Sequence, residues 1–332
     1  MASNVTAYSD VFNAQYLGPS LLPMIPANAC FDPVMLKEPG AALRTARFDA
    51  DPAVPARGLC VLLNGQTEFI EKYFEVIDEL RGRGLAVASL DWRGQGGSSR
   101  LAPDDPLQAH IDDFSQYDAD LNLFLDKIVA PLAGTKRPIA LSHSMGGHIL
   151  LRHLHQHPAH FTAAVMGAPM LMFSTRGQPH WLVQAVTRAM IATGHGKDFV
   201  WGMHLRDPLK MDFHLQIVTS DQRRFARTQD FLMQHPELRL AGPTWGWVAA
   251  ASLSINEMSA PGYAETITTP VLICGAGHDR VVISEATRRF AARMPHAVYR
   301  QIEGSEHEIL MERDVFRAQF WQGFDAFVDQ HL

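Results

Sequence analysis

Three side chains in this sequence have the types and the order that acyl-transfer chemistry asks for. Ser144 lies in Ile139-Ala140-Leu141-Ser142-His143-Ser144-Met145-Gly146-Gly147, where a β-type run meets a helical pattern with a serine at the bend. A tight strand-to-helix turn of this kind, usually written G-x-S-x-G, lifts the hydroxyl clear of a sheet edge. Small residues two positions to either side let the helix approach the strand, and Ser142, in place of the first glycine, is small enough to keep the turn. A serine needs a base to become nucleophilic, and the base needs an acid to orient it. Asp279 follows the run 271–274 through Gly275-Ala276-Gly277-His278, and His307 follows 297–302 through Glu303-Gly304-Ser305-Glu306. Each stands after a strand, so all three project to one rim of a parallel sheet. Singly, an Asp after a strand reads as a turn residue, and one histidine among 16 reads as structural. Together, in the order Ser, Asp, His, they read as a triad. His278 is the rival base, and its place one strand earlier makes it a loop residue.

An acyl transfer also needs donors for the oxyanion. The N–H of Met145, after the serine, is one, at a helix N-terminus that favours negative charge. The second is expected from the loop after an early strand, Asn64-Gly65-Gln66-Thr67-Glu68, with Gln66 as donor and Gly65 supplying backbone freedom. Asp91-Trp92-Arg93-Gly94-Gln95-Gly96-Gly97-Ser98 is rich in glycine but lacks the spacings of a phosphate loop. It reads as a structural turn beside the site.

These positions call for an α/β architecture: a mostly parallel central sheet flanked by helices. Strands are expected at 59–63, 85–90, 139–141, 162–167, 271–274 and 297–302. Helical patterns occupy 68–81, 111–128, 147–156 (stopped by Pro158) and 284–293, and a closing helix starts at Val315. From 171 to 259 no strand signal stands out, while Leu182, Val183, Val186 and Met190 recur at helical spacing. The expected division is an N-terminal extension at 1–40, core at 41–170, a helical cap insertion at 171–260 and core again at 261–332. The insertion, roughly ninety residues, has an ordinary domain size.

Composition agrees with a large buried core. Of 332 residues 47% are hydrophobic and 19% charged, which excludes disorder for the bulk of the chain. With 35 acidic and 29 basic residues the net charge is −6, against a nucleic-acid partner. Cys30, Cys60 and Cys274 are too few for a disulfide framework, and the last two sit in strand-like runs as small buried hydrophobes. The first basic residue is Lys37, so the usual charged start of a signal peptide is missing. Ala27-Asn28-Ala29-Cys30 resembles a lipoprotein cleavage site only faintly. A cytoplasmic protein is expected.

Three clusters invite other chemistry. His148, His153, His155, His157 and His160 suggest a metal site. No glutamate follows as in H-E-x-x-H, so surface histidines on a helix are the better reading, and no metal or cofactor is expected. Arg223, Arg224 and Arg227 could meet a phospholipid head group, but read better as a solvated face paired with Asp221 and Asp230. The tryptophans and methionines of the insertion suit an acyl-chain tunnel, and equally suit the apolar stripe that any helical insert buries.

The chain resembles the α/β-hydrolase fold enzymes of the monoglyceride lipase and lysophospholipase L2 group. Asn64 to Glu68 with Lys72-Tyr73, Asp91 to Ser98, Ser142 to Gly147, Gly275 to Val282, Gly304 to Glu312 and the stretch Gly242 to Val248 carry the likeness. Asn64 stands where many lipases of the group carry a histidine. The resemblance implies a carboxylic ester hydrolase with Ser144 as nucleophile, His307 as base and Asp279 as acid. Its substrates would be monoacyl lipids or similar small esters, with transient contact at the inner face of a membrane. Rival readings on the same fold are a proline iminopeptidase-type peptidase, an acyltransferase, a lactonase and a non-enzymatic ligand receptor.

Overall fold

The computed structural model describes residues 26, 29–101, 105–175, 177–203 and 207–332. Most of the N-terminal extension, including Ala27 and Asn28, lies outside the described residues. Ten strands are present among the described residues: β1 (Cys30–Met35), β2 (Ala42–Phe48), β3 (Gly58–Leu63), β4 (Leu85–Leu90), β5 (Gln108–Ala109), β6 (Ile139–His143), β7 (Ala164–Gly167), β8 (Gly242–Pro243), β9 (Val271–Ala276) and β10 (Ala297–Ile302). Eight form one sheet in the order β1-β2-β4-β3-β6-β7-β9-β10. From β4 to β10 every pairing is parallel, and β1 and β2 close one edge antiparallel.

The central strands are continuous apolar runs because helices cover both faces, as parallel sheets require. Leu59, Cys60, Val61, Leu62 and Leu63 are all buried, as are Val271 to Ala276. Each fully buried Leu or Val contributes about 1.5–3 kcal/mol relative to exposure. The main helices are α1 (Phe74–Arg81), α2 (Ser115–Phe124), α3 (Met145–Gln156), α4 (His180–Ala192), α5 (Gln222–Gln234), α6 (Trp245–Ser259), α7 (Ser284–Ala291) and α8 (Asp314–Val328).

The structure differs from the expectation in four places. The sheet begins at Cys30, inside the segment set apart as an extension, because β1 and β2 alternate too weakly to stand out as strands. Helix 68–81 starts as a 3₁₀ turn at Ile70–Tyr73 before α1. Helix 111–128 begins later, at Ser115, and runs through a π turn at Leu125–Val129 into Ala130–Ala133. Strand β8, two residues long, pairs with β5 and ties the insertion to the core.

Between β7 and β9 the chain leaves the main sheet and adds α4, α5 and α6. Side-chain contacts tie these helices to the rest of the fold. Thr244 Oγ lies 2.7 Å from His110 Nδ1, and Trp247 packs edge-on to Phe114 in the main core. Phe69 stacks on Phe231 at 5.5 Å in a smaller second cluster with Leu232 and Leu238.

Candidate active site

Strand β6 ends at His143 and α3 starts at Met145, leaving Ser144 alone in the turn. Its φ of 49° is one of three positive values among non-glycine residues described, the others being Thr67 and Ala168. Such backbone strain is held only where the surroundings over-determine it. The two glycines explain how. A Cβ on Gly146 would stand 2.5 Å from the carbonyl oxygens of Leu63 and Asn64, and one on Gly147 2.8 Å from Pro169. Ser142 keeps the helix close as a glycine would.

Ser144 Oγ lies 3.0 Å from His307 Nε2, and His307 Nδ1 lies 2.8 Å from Asp279 Oδ2. Asp279 Oδ1 accepts the N–H groups of Val281 (2.9 Å) and Val282 (2.8 Å). Burial pushes the Asp279 carboxyl up, but His307 and these N–H groups hold it below its ordinary value. Its charge is thus kept where it orients the imidazole. His278 is exposed and bonds through its main chain to Ser305. A hydroxyl, an imidazole and a buried carboxylate in this chain are what make serine nucleophilic.

Gln66 lines the same cavity as Ser144, and Met145 opens α3 beside it. The loop bearing Gln66 is tightly held. Trp92 Nε1 donates to the Asn64 carbonyl (2.9 Å), while Gln95 Nε2 donates to the carbonyls of Gly65 (2.8 Å) and Glu68 (3.1 Å). The glycine-rich turn after β4 therefore buttresses this loop. Gly65 is needed for space instead of backbone freedom: a Cβ there would lie 2.7 Å from Glu68 Oε2, and the positive φ falls at Thr67.

Five charged or titratable groups around this loop form a cluster to which the sequence assigned no role. Glu68 Oε2 accepts from the Gly65 N–H (2.5 Å) and the Tyr73 hydroxyl (2.6 Å), and lies 3.1 Å from His143 Nδ1. Lys72 Nζ donates to Glu68 (2.9 Å) and Glu308 (2.6 Å). The i, i+4 spacing of Glu68 and Lys72 was the one available signal. The partners His143 and Glu308 come from distant elements.

The cavity over Ser144 measures about 330 Å³ and includes Met170, Phe173, Met203 and Trp247 in its wall. A chamber of about 510 Å³ adjoins it, sharing Thr67, Ile217, Val218, Ala241 and Glu308. An apolar hollow of about 240 Å³ beneath α4 shares Phe173.

Two side clusters are corrected. His148 and His153 are buried, not surface residues: His148 Nδ1 lies 2.7 Å from the Met170 carbonyl and Nε2 2.7 Å from Ser254 Oγ. Burial drives both pKa values down to about 3. No group of metal-ligating side chains is found among the described residues. Arg224 is also buried, bonding Glu75, Asp221, Asp314 and the Glu312 carbonyl. Arg227 pairs with Glu75, and only Arg223 is largely exposed. The cluster clamps α5 to the core instead of facing solvent.

Sheet order, the crossings between strands and the rim that gathers Ser144, His307 and Asp279 define the α/β-hydrolase class. Solved structures agree: a soluble variant of monoglyceride lipase from Saccharomyces cerevisiae superposes with a TM-score of 0.72 at 19% identity, covering 91% of this chain and 94% of that one. The chain belongs to the family described as serine aminopeptidase, S33, whose family model matches residues 54–314. It is 31% identical over 278 residues to lysophospholipase L2 of Escherichia coli (strain K12), covering 82% of this chain and 80% of that protein. Over 246 residues it is 26% identical to a monoacylglycerol lipase of Mycolicibacterium smegmatis, 74% of this chain and 77% of the other. It is a hydrolase of this fold. Among the described residues no helix is long and apolar enough to cross a membrane.

Proposed function

We propose that the protein is a serine carboxylic ester hydrolase that cleaves monoacyl lipids, lysophospholipid or monoacylglycerol, through an acyl-enzyme. The hydrogen-bonded chain from Asp279 through His307 to Ser144, opening into a mainly apolar cavity, carries this reading. Ser144 Oγ attacks the ester carbonyl carbon while its proton passes to His307 Nε2. The oxyanion is met by the N–H groups of Gln66 and Met145. Collapse expels the alcohol, which takes the proton from His307. Water then gives a proton to His307 and attacks the acyl carbon, and collapse of this second intermediate releases the fatty acid as Ser144 Oγ takes the proton back from His307.

The division of space supports a lipid. The segment 171–260 acts as a cap. Beneath it Met170, Phe173, Met203 and Trp247 suit an acyl chain. The adjoining chamber, with Lys72, Lys210, Asp207 and Asp212 in its wall, suits a polar leaving group. The names of the E. coli and M. smegmatis relatives support the same substrate class.

Contact with a membrane surface fits the outward face of α4. Trp181, Leu182, Ala185, Ala189 and Ala192 are exposed there, and the helix holds Arg188 but no carboxylate. An apolar, cationic face suits the interface of an anionic bilayer. A cytoplasmic protein working at the inner leaflet accommodates this face. Sedimentation with phosphatidylglycerol vesicles should weaken in Trp181→Ala/Leu182→Asp, and binding unchanged by that pair excludes α4 as the contact.

The family description favours one second reading, an aminopeptidase. Such an enzyme needs a free carboxylate near Ser144 for the substrate amine. The two carboxylates lining the cavity, Glu68 and Glu308, are both engaged by Lys72. Hydrolysis of nitrophenyl esters from acetate to palmitate, lysophospholipid and proline anilide, compared between wild type and Ser144→Ala, tests both. Ester activity that survives Ser144→Ala sinks the mechanism. Preference for proline anilide sinks the substrate class.

A further inference from the structure

His143 is the last residue of β6, next to Ser144, and its ring lies 4.8 Å from that of His307, centroid to centroid. Both of its nitrogens face acceptors. Nδ1 is 3.1 Å from Glu68 Oε2, and Nε2 is 3.3 Å from the main-chain carbonyl of His307. A neutral imidazole has one N–H and one lone pair, so in either tautomer one contact would set lone pair against lone pair. The carbonyl cannot supply a proton. Glu68 is held as a carboxylate, because it already accepts from the Gly65 N–H, the Tyr73 hydroxyl and Lys72 Nζ. Only an imidazolium satisfies both contacts.

The charge count leads to the same state. Glu68, Lys72 and Glu308 alone would leave one net negative charge buried beside the position of the developing oxyanion. With His143 protonated, two cations meet two anions and the cluster is neutral. Of the neighbouring titratable groups, Tyr73, from the 3₁₀ turn, bonds to Glu68, and the His307 ring, from the loop after β10, lies beside that of His143. Burial disfavours the cation, yet Glu68 outweighs it and raises the proton affinity of His143 above that of an ordinary imidazole.

We propose that His143 is a positioning residue protonated through the neutral range, whose imidazolium holds the His307 carbonyl and thereby aims His307 at Ser144. The same ion pair fixes Glu68 where it anchors Gly65, so one buried cation keeps the base and the oxyanion loop in register. The loop's lack of room fits this role: a Cβ on Gly65 would stand 3.0 Å from His143 Nδ1. The kinetic part of the inference rests on the ester-hydrolase reading. The protonation state does not.

Two-bond proton–nitrogen correlation spectra of the ¹⁵N-labelled full chain at pH 7.5, assigned against His143→Gln, read the state directly. Both ring nitrogens of His143 are expected to show the imidazolium signature, and Glu68→Gln is expected to convert them to a neutral tautomer. A neutral tautomer in the wild type overturns the proposal, whatever the substrate proves to be. On a soluble short-chain nitrophenyl ester, His143→Phe keeps the ring volume but offers no donor. Its kcat should fall about 100-fold, the scale of a misplaced catalytic group, with KM little changed. His143→Gln, which keeps an amide donor for the carbonyl, should recover about tenfold of that loss. Wild-type kcat in a folded His143→Phe equally overturns it. Failure of the ester reading would appear separately, as activity that survives Ser144→Ala.

Discussion

At Ser144 backbone and side chains are arranged for one purpose, and single atoms test it. Gly146→Ala would set a methyl 2.5 Å from two backbone oxygens that cannot swing away. We expect it to lower unfolding stability by about 2–3 kcal/mol in urea melts, as overpacking does, and to reduce activity by shifting the Gln66 loop. In Asp279→Asn the side-chain oxygen can still accept from Val281 and Val282, so the melting temperature should hold. An amide that now donates toward His307 Nδ1 favours the wrong tautomer, and kcat should drop about 10⁴-fold. Equal loss of both stability and activity would contradict this. Ser144, Asp279 and His307 were legible because the chemistry demands those types, in that order, after strands. His143 was not, because its role depends on what stands 3 Å from each nitrogen.

Among the elements, α1, α5 and α8 meet at Glu75, which Arg224, Arg227 and Arg317 all contact. Burial pushes the Glu75 carboxyl up, but hydrogen bonds from Arg224 and the charges of Arg317 and Arg227 hold it down at about 2. Its folded value lies below the ordinary 4.5, so its stabilisation is present above pH 4.5 and is lost as pH falls toward 2. Glu75→Gln should therefore cost about 2 kcal/mol at pH 7, discounted for partial exposure, and about a quarter less at pH 4. Denaturant melts at the two pH values check it. Helix α5 spans Gln222–Gln234, and two of its clustered arginines, expected on a solvated face, pair instead with Glu75 of the core. A helix's period tells which residues share a face, not what that face packs against.

Across the whole molecule, the interior around α3 is sensitive to acid. His148 and His153 are buried neutral at about pKa 3, while an unfolded histidine titrates near 6.5. Below pH 6.5 the unfolded chain takes up protons that the folded chain refuses, so stability falls from there toward pH 3. The slope should approach about 1.4 kcal/mol per pH unit for each histidine. His148→Gln should flatten the decline by about half, measured by urea unfolding between pH 6.5 and 4; an unchanged slope would mean that His148 charges freely in the fold. The alternation of strands and helices, the lapse of strand signal from 171 to 259 and the three rim residues follow from sequence alone, since periodicity and chain order are local. The tertiary structure decided which charges are buried, which edge strands complete the sheet, and which groups surround His143. Those depend on contacts between residues far apart in the chain, and no local pattern encodes them.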